Sequence, residues 1–208
     1  QDSGKQTITT KGMKAEIRCV EKNAFRTVVE ICHEMMIPSG MGEELQRQRE
    51  MCIDPYTRVA NRSKELVPME VKTVLTLEKS GKGLHVATTI CNQAKDHRVR
   101  VVMPTGLNTS THLADSAFEV VKRNNRHNDT WTNPCGCERQ QCFAAMEDET
   151  NGLLVANRGL YEYEVLADEE NAIAVTLLRS VAEMGDWGYF PTPKAQQIGT
   201  FTLEFEVV

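Results

Sequence analysis

The chain is predicted to be all-β, an antiparallel β-sandwich with little helix, and three observations carry that prediction. Its end, Thr200–Val208, alternates strictly: Phe201, Leu203, Phe205 and Val207 share one face, and Thr202, Glu204 and Glu206 the other. Val71, Thr73, Leu75 and Leu77 form a second apolar face. After Ser80-Gly81-Lys82-Gly83 the pattern resumes at Leu84, Val86 and Ile90, as in a β-hairpin. No rhythm of strand, helix, strand appears, which argues against a parallel α/β sheet.

In chain order, strands are expected at Ala15–Val20, Phe25–Ile31, the hairpin just described and Val99–Met103, where Arg98 and Arg100 face away from Val99, Val101 and Met103. Further strands are expected at Phe118–Lys122, Leu153–Ala156, Tyr161–Leu166, Ile173–Leu178 and the closing run. That makes about nine or ten strands, with Cys142 leading into another beside Phe143. Only Gly42–Met51 reads as a helix, with good helix formers and a thin apolar stripe. Two sheets of unequal size are the economical arrangement. Residues 1–11 read as a disordered tail or an expression boundary, and 12–208 as one sandwich region. The polar stretch Asn124–Cys142 is long enough to be a functional loop.

With 208 residues, 40% hydrophobic and 25% charged, the composition is that of an ordinary globular chain. The net charge of −5, without a basic stripe, argues against nucleic acid or an anionic membrane surface as partner. No apolar run approaches the roughly 18 residues that span a bilayer. The polar start lacks the basic and apolar parts of a signal peptide. The seven cysteines, an odd number and several inside strand-like runs, suit a reducing compartment, so a cytoplasmic location is expected. The N-x-S/T patterns at Asn61, Asn108 and Asn128 carry no weight without a secretory signal.

Several constellations look chemical. Asp96-His97-Arg98 has the residues of a catalytic or metal site, but neighbours on an extended backbone point in different directions. The alternative is a polar turn, with Asp96 accepting backbone N–H bonds and Arg98 pairing with a cross-strand carboxylate. Cys135, Cys137 and Cys142, with His127 and His112 nearby, lack the paired knuckles of a structural zinc site, and loop cysteines are the competing reading. His112, Asp115 and Ser116 lie too close along a strand for a triad, and no G-x-S-x-G elbow exists. Glu147-Asp148-Glu149 reads as an acidic turn before Gly152. No phosphate loop, dinucleotide turn or H-E-x-x-H pair occurs. No catalytic residue and no metal ligand is assigned within the chain.

Three stretches carry a resemblance: N-Q-A-K-D-H-R-V-R-V-V-M-P-T-G (Asn92–Gly106), A-D-S-A-F-E-V-V-K-R (Ala114–Arg123), and G-L-L-V-A-N-R-G-L-Y-E-Y-E-V (Gly152–Val165) with A-V-T-L-L-R-S-V (Ala174–Val181). In this order, with T-P-K-A-Q-Q-I-G-T-F-T-L-E-F (Thr192–Phe205), they resemble the C-terminal β-sandwich region of bacterial α-mannosidases of glycoside hydrolase family 38. The likeness covers residues 66–208 well and 12–65 more loosely. It implies a super-sandwich, galactose-mutarotase-like fold and, in an intact parent, a zinc-dependent retaining exo-α-mannosidase. In that family an N-terminal α/β domain supplies two His and two Asp around the zinc, one Asp being the nucleophile, and a helical bundle follows. This chain shows neither part, so it is expected to be an excised piece, inactive alone. Packing against the missing domains should leave apolar surface that promotes homo-oligomers.

The resemblance also implies that a sandwich arginine reaches the sugar pocket, and Arg179, closing T-L-L-R, is the candidate. Its fork suits paired oxygens. The competing reading is an ion pair with Asp186 or Glu164. Trp187 and Tyr189, in the loop Ala182–Thr192, are candidates to stack on sugar rings or to be buried against the catalytic domain. A free-standing carbohydrate-binding or assembly sandwich is the alternative function.

Overall fold

The computed structural model of the chain describes residues 7–54, 57–59, 61–128, 130–132, 135–167, 170–184 and 190–208. Its strands are β1 (Glu16–Lys22), β2 (Arg26–Pro38), β3 (Leu66–Glu78), β4 (Leu84–Asn92), β5 (Arg98–Met103), β6 (Thr111–Asp115), β7 (Val120–Asn124), β8 (Cys137–Arg139), β9 (Phe143–Glu147), β10 (Gly152–Asn157), β11 (Glu162–Leu166), β12 (Ala172–Arg179), β13 (Glu183–Met184), β14 (Phe190–Pro191) and β15 (Gly199–Val207). One α-helix, α1 (Glu43–Glu50), and a 3-10 turn at Pro193–Ala195 complete the regular structure among the described residues.

Two sheets of unequal size form the sandwich, as the patterning predicts. The larger runs β1-β2-β3-β4-β15-β10-β9-β6-β7 and the smaller β5-β12-β11-β8, with antiparallel neighbours throughout. The β3–β4 hairpin and the closing strand, paired along its length with β4, form the expected centre. The alternation works because facing residues of paired strands share a face: Leu75 lies opposite Val86, and Val86 opposite Phe205.

β12 behaves differently. Ala172 to Leu178 are all buried, so the strand reads as a continuous apolar run with only Arg179 emerging. Ile173, Val175 and Leu177 enter the core together with Ile90, Val155 and Phe205 of the large sheet. On the outer side, charged side chains from β5 and β11 cover Ala174 and Thr176. A register shift between Thr176 and Leu178 marks a bulge near the end of the strand.

Four of these strands depart clearly from the sequence expectation. β6 and β8 were not foreseen as strands, and β8 lies inside the stretch read as a loop. β2 and β3 each run to 13 residues, well past their expected ends. Pro68 lies opposite Met36 of β2 but beyond the β3–β4 pairing, which starts only at Glu70, so on the β4 side there is no ladder bond for a proline to break.

Candidate functional site

The outer face of the small sheet concentrates charge. Arg98 and Arg100 alternate with the inward valines of β5, and Glu162 and Glu164 alternate with inward Tyr163 and Val165 of β11. Both pairs reach over β12. Arg100 pairs with Glu164, and Arg98 lies 3.4 Å from Glu162 and 3.5 Å from Glu164. The Thr176 hydroxyl donates to Glu162 Oε1 at 2.8 Å. Arg98 was expected to find a cross-strand carboxylate; it finds two, one strand further away than its neighbour.

Arg179 extends the array at the strand end, where it lies opposite Arg98 in register and pairs with Glu162. The ion pair with Glu164 anticipated from sequence is corrected here, since Glu164 is engaged by Arg100 and Arg98; the alternative partner, Asp186, lies outside the described residues. Arg179 is 51% exposed and its partner 27%. Burial opposes ionisation of Glu162, but the Thr176 hydroxyl and the Arg179 and Arg98 guanidiniums outweigh it and hold the carboxyl below its usual range. Beside this pair an open cleft of about 370 Å³ is lined by Tyr161, Glu162, Arg179, Gln197, Phe201 and Leu203. Of the residues predicted to meet sugar, Arg179 lines this cleft; Trp187 and Tyr189 lie outside the described residues. Sequence reasoning missed Tyr161 and Glu162. The signal was present in Tyr161-Glu162-Tyr163-Glu164, whose alternation sends both glutamates outward towards the arginines of Arg98-Val99-Arg100.

Asp96-His97-Arg98 forms the turn that leads from β4 into β5, with Arg98 its first strand residue. Asp96 adopts a left-handed conformation (φ 54°). Its carboxylate accepts from Gln196 Nε2 at 2.7 Å, not from the backbone N–H groups expected, because Gln196 follows the 3-10 turn back alongside it. Within this expected polar turn the ring nitrogens of His97 are buried, and its carbonyl accepts from Ser180 N at 2.8 Å.

Cys137 sits on β8, and Arg98 Nη1 donates to its sulfur at 2.8 Å. Burial pushes its thiol up, against the lowering influence of Arg98. A guanidinium is the close partner of the Cys137 sulfur, and Cys135 and Cys142 are exposed. Among the described residues no three His, Cys, Asp or Glu side chains gather as metal ligands, so the residues present do not fit zinc. The His112 ring bonds Asn125 and Tyr163, and among the described residues no serine hydroxyl or cysteine thiol is hydrogen-bonded to a histidine ring.

The class is an asymmetric antiparallel β-sandwich domain that presents arginines and glutamates at one rim. The pattern described as "Glycosyl hydrolases family 38 C-terminal domain" matches residues 2–187. The chain belongs to that family. It is 41% identical over 197 residues to the "Putative mannosylglycerate hydrolase" of Halalkalibacterium halodurans, covering 95% of this chain and 22% of the relative. The crystal structure of an alpha-mannosidase from Enterococcus faecalis V583 matches with a TM-score of 0.91 and 44% identity, over 97% of this chain and 23% of that one. A protein in the Glycosyl Hydrolase Family 38 from Enterococcus faecalis gives 0.88 and 42%, again over 97% and 23%. The chain therefore spans less than a quarter of the length of these relatives.

Proposed function

We propose that this chain is the C-terminal β-sandwich of a family 38 α-mannoside hydrolase, silent by itself, which packs on the parent's catalytic and helical domains and completes one wall of its sugar pocket. The observation that carries the reading is the family match over residues 2–187 in relatives more than four times as long. A free-standing binding sandwich has no such support. In this reading the parent is a retaining enzyme whose zinc and nucleophile belong to its other domains. Arg179 would offer its fork to sugar hydroxyls, exchanging part of its bond to Glu162 for the ligand, and Trp187 and Tyr189 would stack on the sugar rings. Its half-exposure and its place on an open cleft support that role. A cytoplasmic location belongs to the same proposal, supported by seven cysteines that all remain free thiols.

The 208-residue chain should not hydrolyse a chromogenic α-mannoside with or without added zinc. Turnover abolished by a chelator would overturn the reading. Adding this chain to a parent enzyme lacking it should restore activity. In the intact parent, Arg179→Ala should raise KM about tenfold or more, the worth of one charge-assisted hydrogen bond. An unchanged KM would reduce Arg179 to its ion pair with Glu162.

A further inference from the structure

The described residues of the segment joining β7 to β8 do not line the Arg179 cleft but build one of their own. Asn128 Oδ1 accepts from Thr130 N at 2.9 Å and from Thr130 Oγ1 at 2.8 Å, and Trp131 N donates to the Asn128 carbonyl at 3.0 Å. This turn folds Trp131 back onto His127, with ring centroids 5.2 Å apart and planes 22° from parallel. The imidazole thus fixes the indole while Trp131 stays 57% exposed. Facing it, a cleft of about 560 Å³ is walled by Asn124, Arg126, Gly136, Glu138 and Glu164. That volume lies within the range of small-ligand sites.

The floor is rigid. Buried His112 bonds Asn125 Oδ1 and Tyr163 Oη, each at 2.9 Å, and Asn125 Nδ2 donates to the Thr109 carbonyl at 2.9 Å. The walls keep unspent polar capacity. Arg126 uses one nitrogen, Nη2, on the Ala167 carbonyl, and Glu138 uses Oε2 on Arg123, leaving Oε1. The charges largely cancel: Glu138 is matched by Arg123, and Glu164 by Arg100 and Arg98.

An exposed, braced indole beside amide, guanidinium and carboxylate groups, with little net charge, matches a neutral pyranose. The ring's C–H face stacks on the indole, while its hydroxyls accept from N–H groups and donate to a carboxylate oxygen. An apolar ligand would leave those walls unpaired. We propose that this cleft is a second carbohydrate-binding site, taking one pyranose unit of a neutral glycan. It shares no lining residue with the Arg179 cleft and does not depend on the function assigned there.

The test is titration of the 208-residue chain with α-linked mannotriose and with maltotriose, followed by calorimetry and tryptophan fluorescence. At least one saccharide should bind. Trp131→Ala should weaken it about tenfold or more, by loss of the stacking contact. Trp131→Phe should recover part of that loss, and Lys82→Ala, exposed in the β3–β4 turn and outside both clefts, should leave affinity within about twofold. Asn124→Ala, an exposed wall position, should weaken binding with an unchanged melting temperature, and it decides the matter if Trp131→Ala does not fold. Absence of binding to the unmodified chain would overturn the proposal, as would binding lost in Arg179→Ala but kept in Trp131→Ala. Failure here leaves the mannosidase reading standing, since that reading is judged by turnover in the reconstituted parent.

Discussion

His112 is buried between the sheets with both ring nitrogens engaged, and its protonation state follows from its partners. Asn125 Nδ2 donates to Thr109, so Asn125 Oδ1 must accept, which places the proton on His112 Nδ1. Nε2 then accepts from the Tyr163 hydroxyl, and Tyr163 in turn accepts from Arg123 Nη1 at 2.8 Å. A second proton on the ring would leave the Tyr163 hydroxyl hydrogen without an acceptor. Burial lowers the pKa of His112 for the same reason, and that of His97 as well. The sign follows: the unfolded chain takes up these protons first, so their contribution is complete above about pH 6.5 and is lost as pH falls through that value. Urea unfolding at pH 7.5 and 5.5 should show lower stability at the acid value, with a smaller difference in His112→Asn. Glu162 acts in a separate window. Its carboxyl is held low, so its contribution is lost only as pH falls below about 4.3 towards its folded value. Tyr163→Phe should cost about 1–3 kcal/mol in the same measurement, because it leaves the buried His112 Nε2 without a partner and removes one acceptor from Arg123. The network was invisible in sequence: His112, Arg123, Glu138 and Tyr163 come from four strands, and only the pairing of His112 with Arg123 and of Glu138 with Tyr163 brings them to one place.

At the scale of elements, legibility tracks burial geometry. Strands with one solvated face, such as β4 and β15, announce themselves by alternation, and the hairpin between β3 and β4 was readable from its glycines. Gly83 has a further reason to be small. A Cβ there would lie 2.7 Å from the Val207 carbonyl oxygen, so Gly83→Ala should lower the melting temperature by forcing apart β4 and the chain end. β8 was unreadable because it has three residues and a polar sequence, and its place is set by β11 alone. β6 was obscured by an inward-facing histidine, which counts as polar in a pattern although it is buried here. β12 gave a clear apolar run, but which of its faces meets the core is decided by pairing. Ile173 is fully buried there, and Ile173→Ala should cost about 2–5 kcal/mol in denaturant unfolding.

Across the whole molecule the mismatch between the sheets dominates. Nine strands face four, and β1 contributes no residue to the core. Ile17 lies opposite Ile31 on the face that continues the core side of the sheet, yet it is 65% exposed, and Phe25 at the neighbouring hairpin turn is 77% exposed. Such an overhang is suited to cover by another body. Its place in the proposed parent would be against the remaining domains, and the isolated chain is expected to self-associate through it. Sedimentation velocity should show concentration-dependent association of the 208-residue chain, relieved by Ile17→Lys together with Phe25→Lys. A monomer at all concentrations would count against this use of the overhang. No helix among the described residues is long and apolar enough to cross a membrane.

The amino-acid sequence by itself determined the class of fold, the central strands and the family, because period-two patterning and short motifs are local properties of the chain. It also singled out Arg179 and the Asn124–Cys142 stretch as worth attention. Tertiary structure alone decided that Arg179 meets Glu162, that Cys137 faces a guanidinium, and that Trp131 is braced by His127 over a polar cleft. Electrostatic partners and clefts are made by side chains from distant strands meeting across a sheet. Register and the stacking of two sheets fix those meetings, and no local pattern records them.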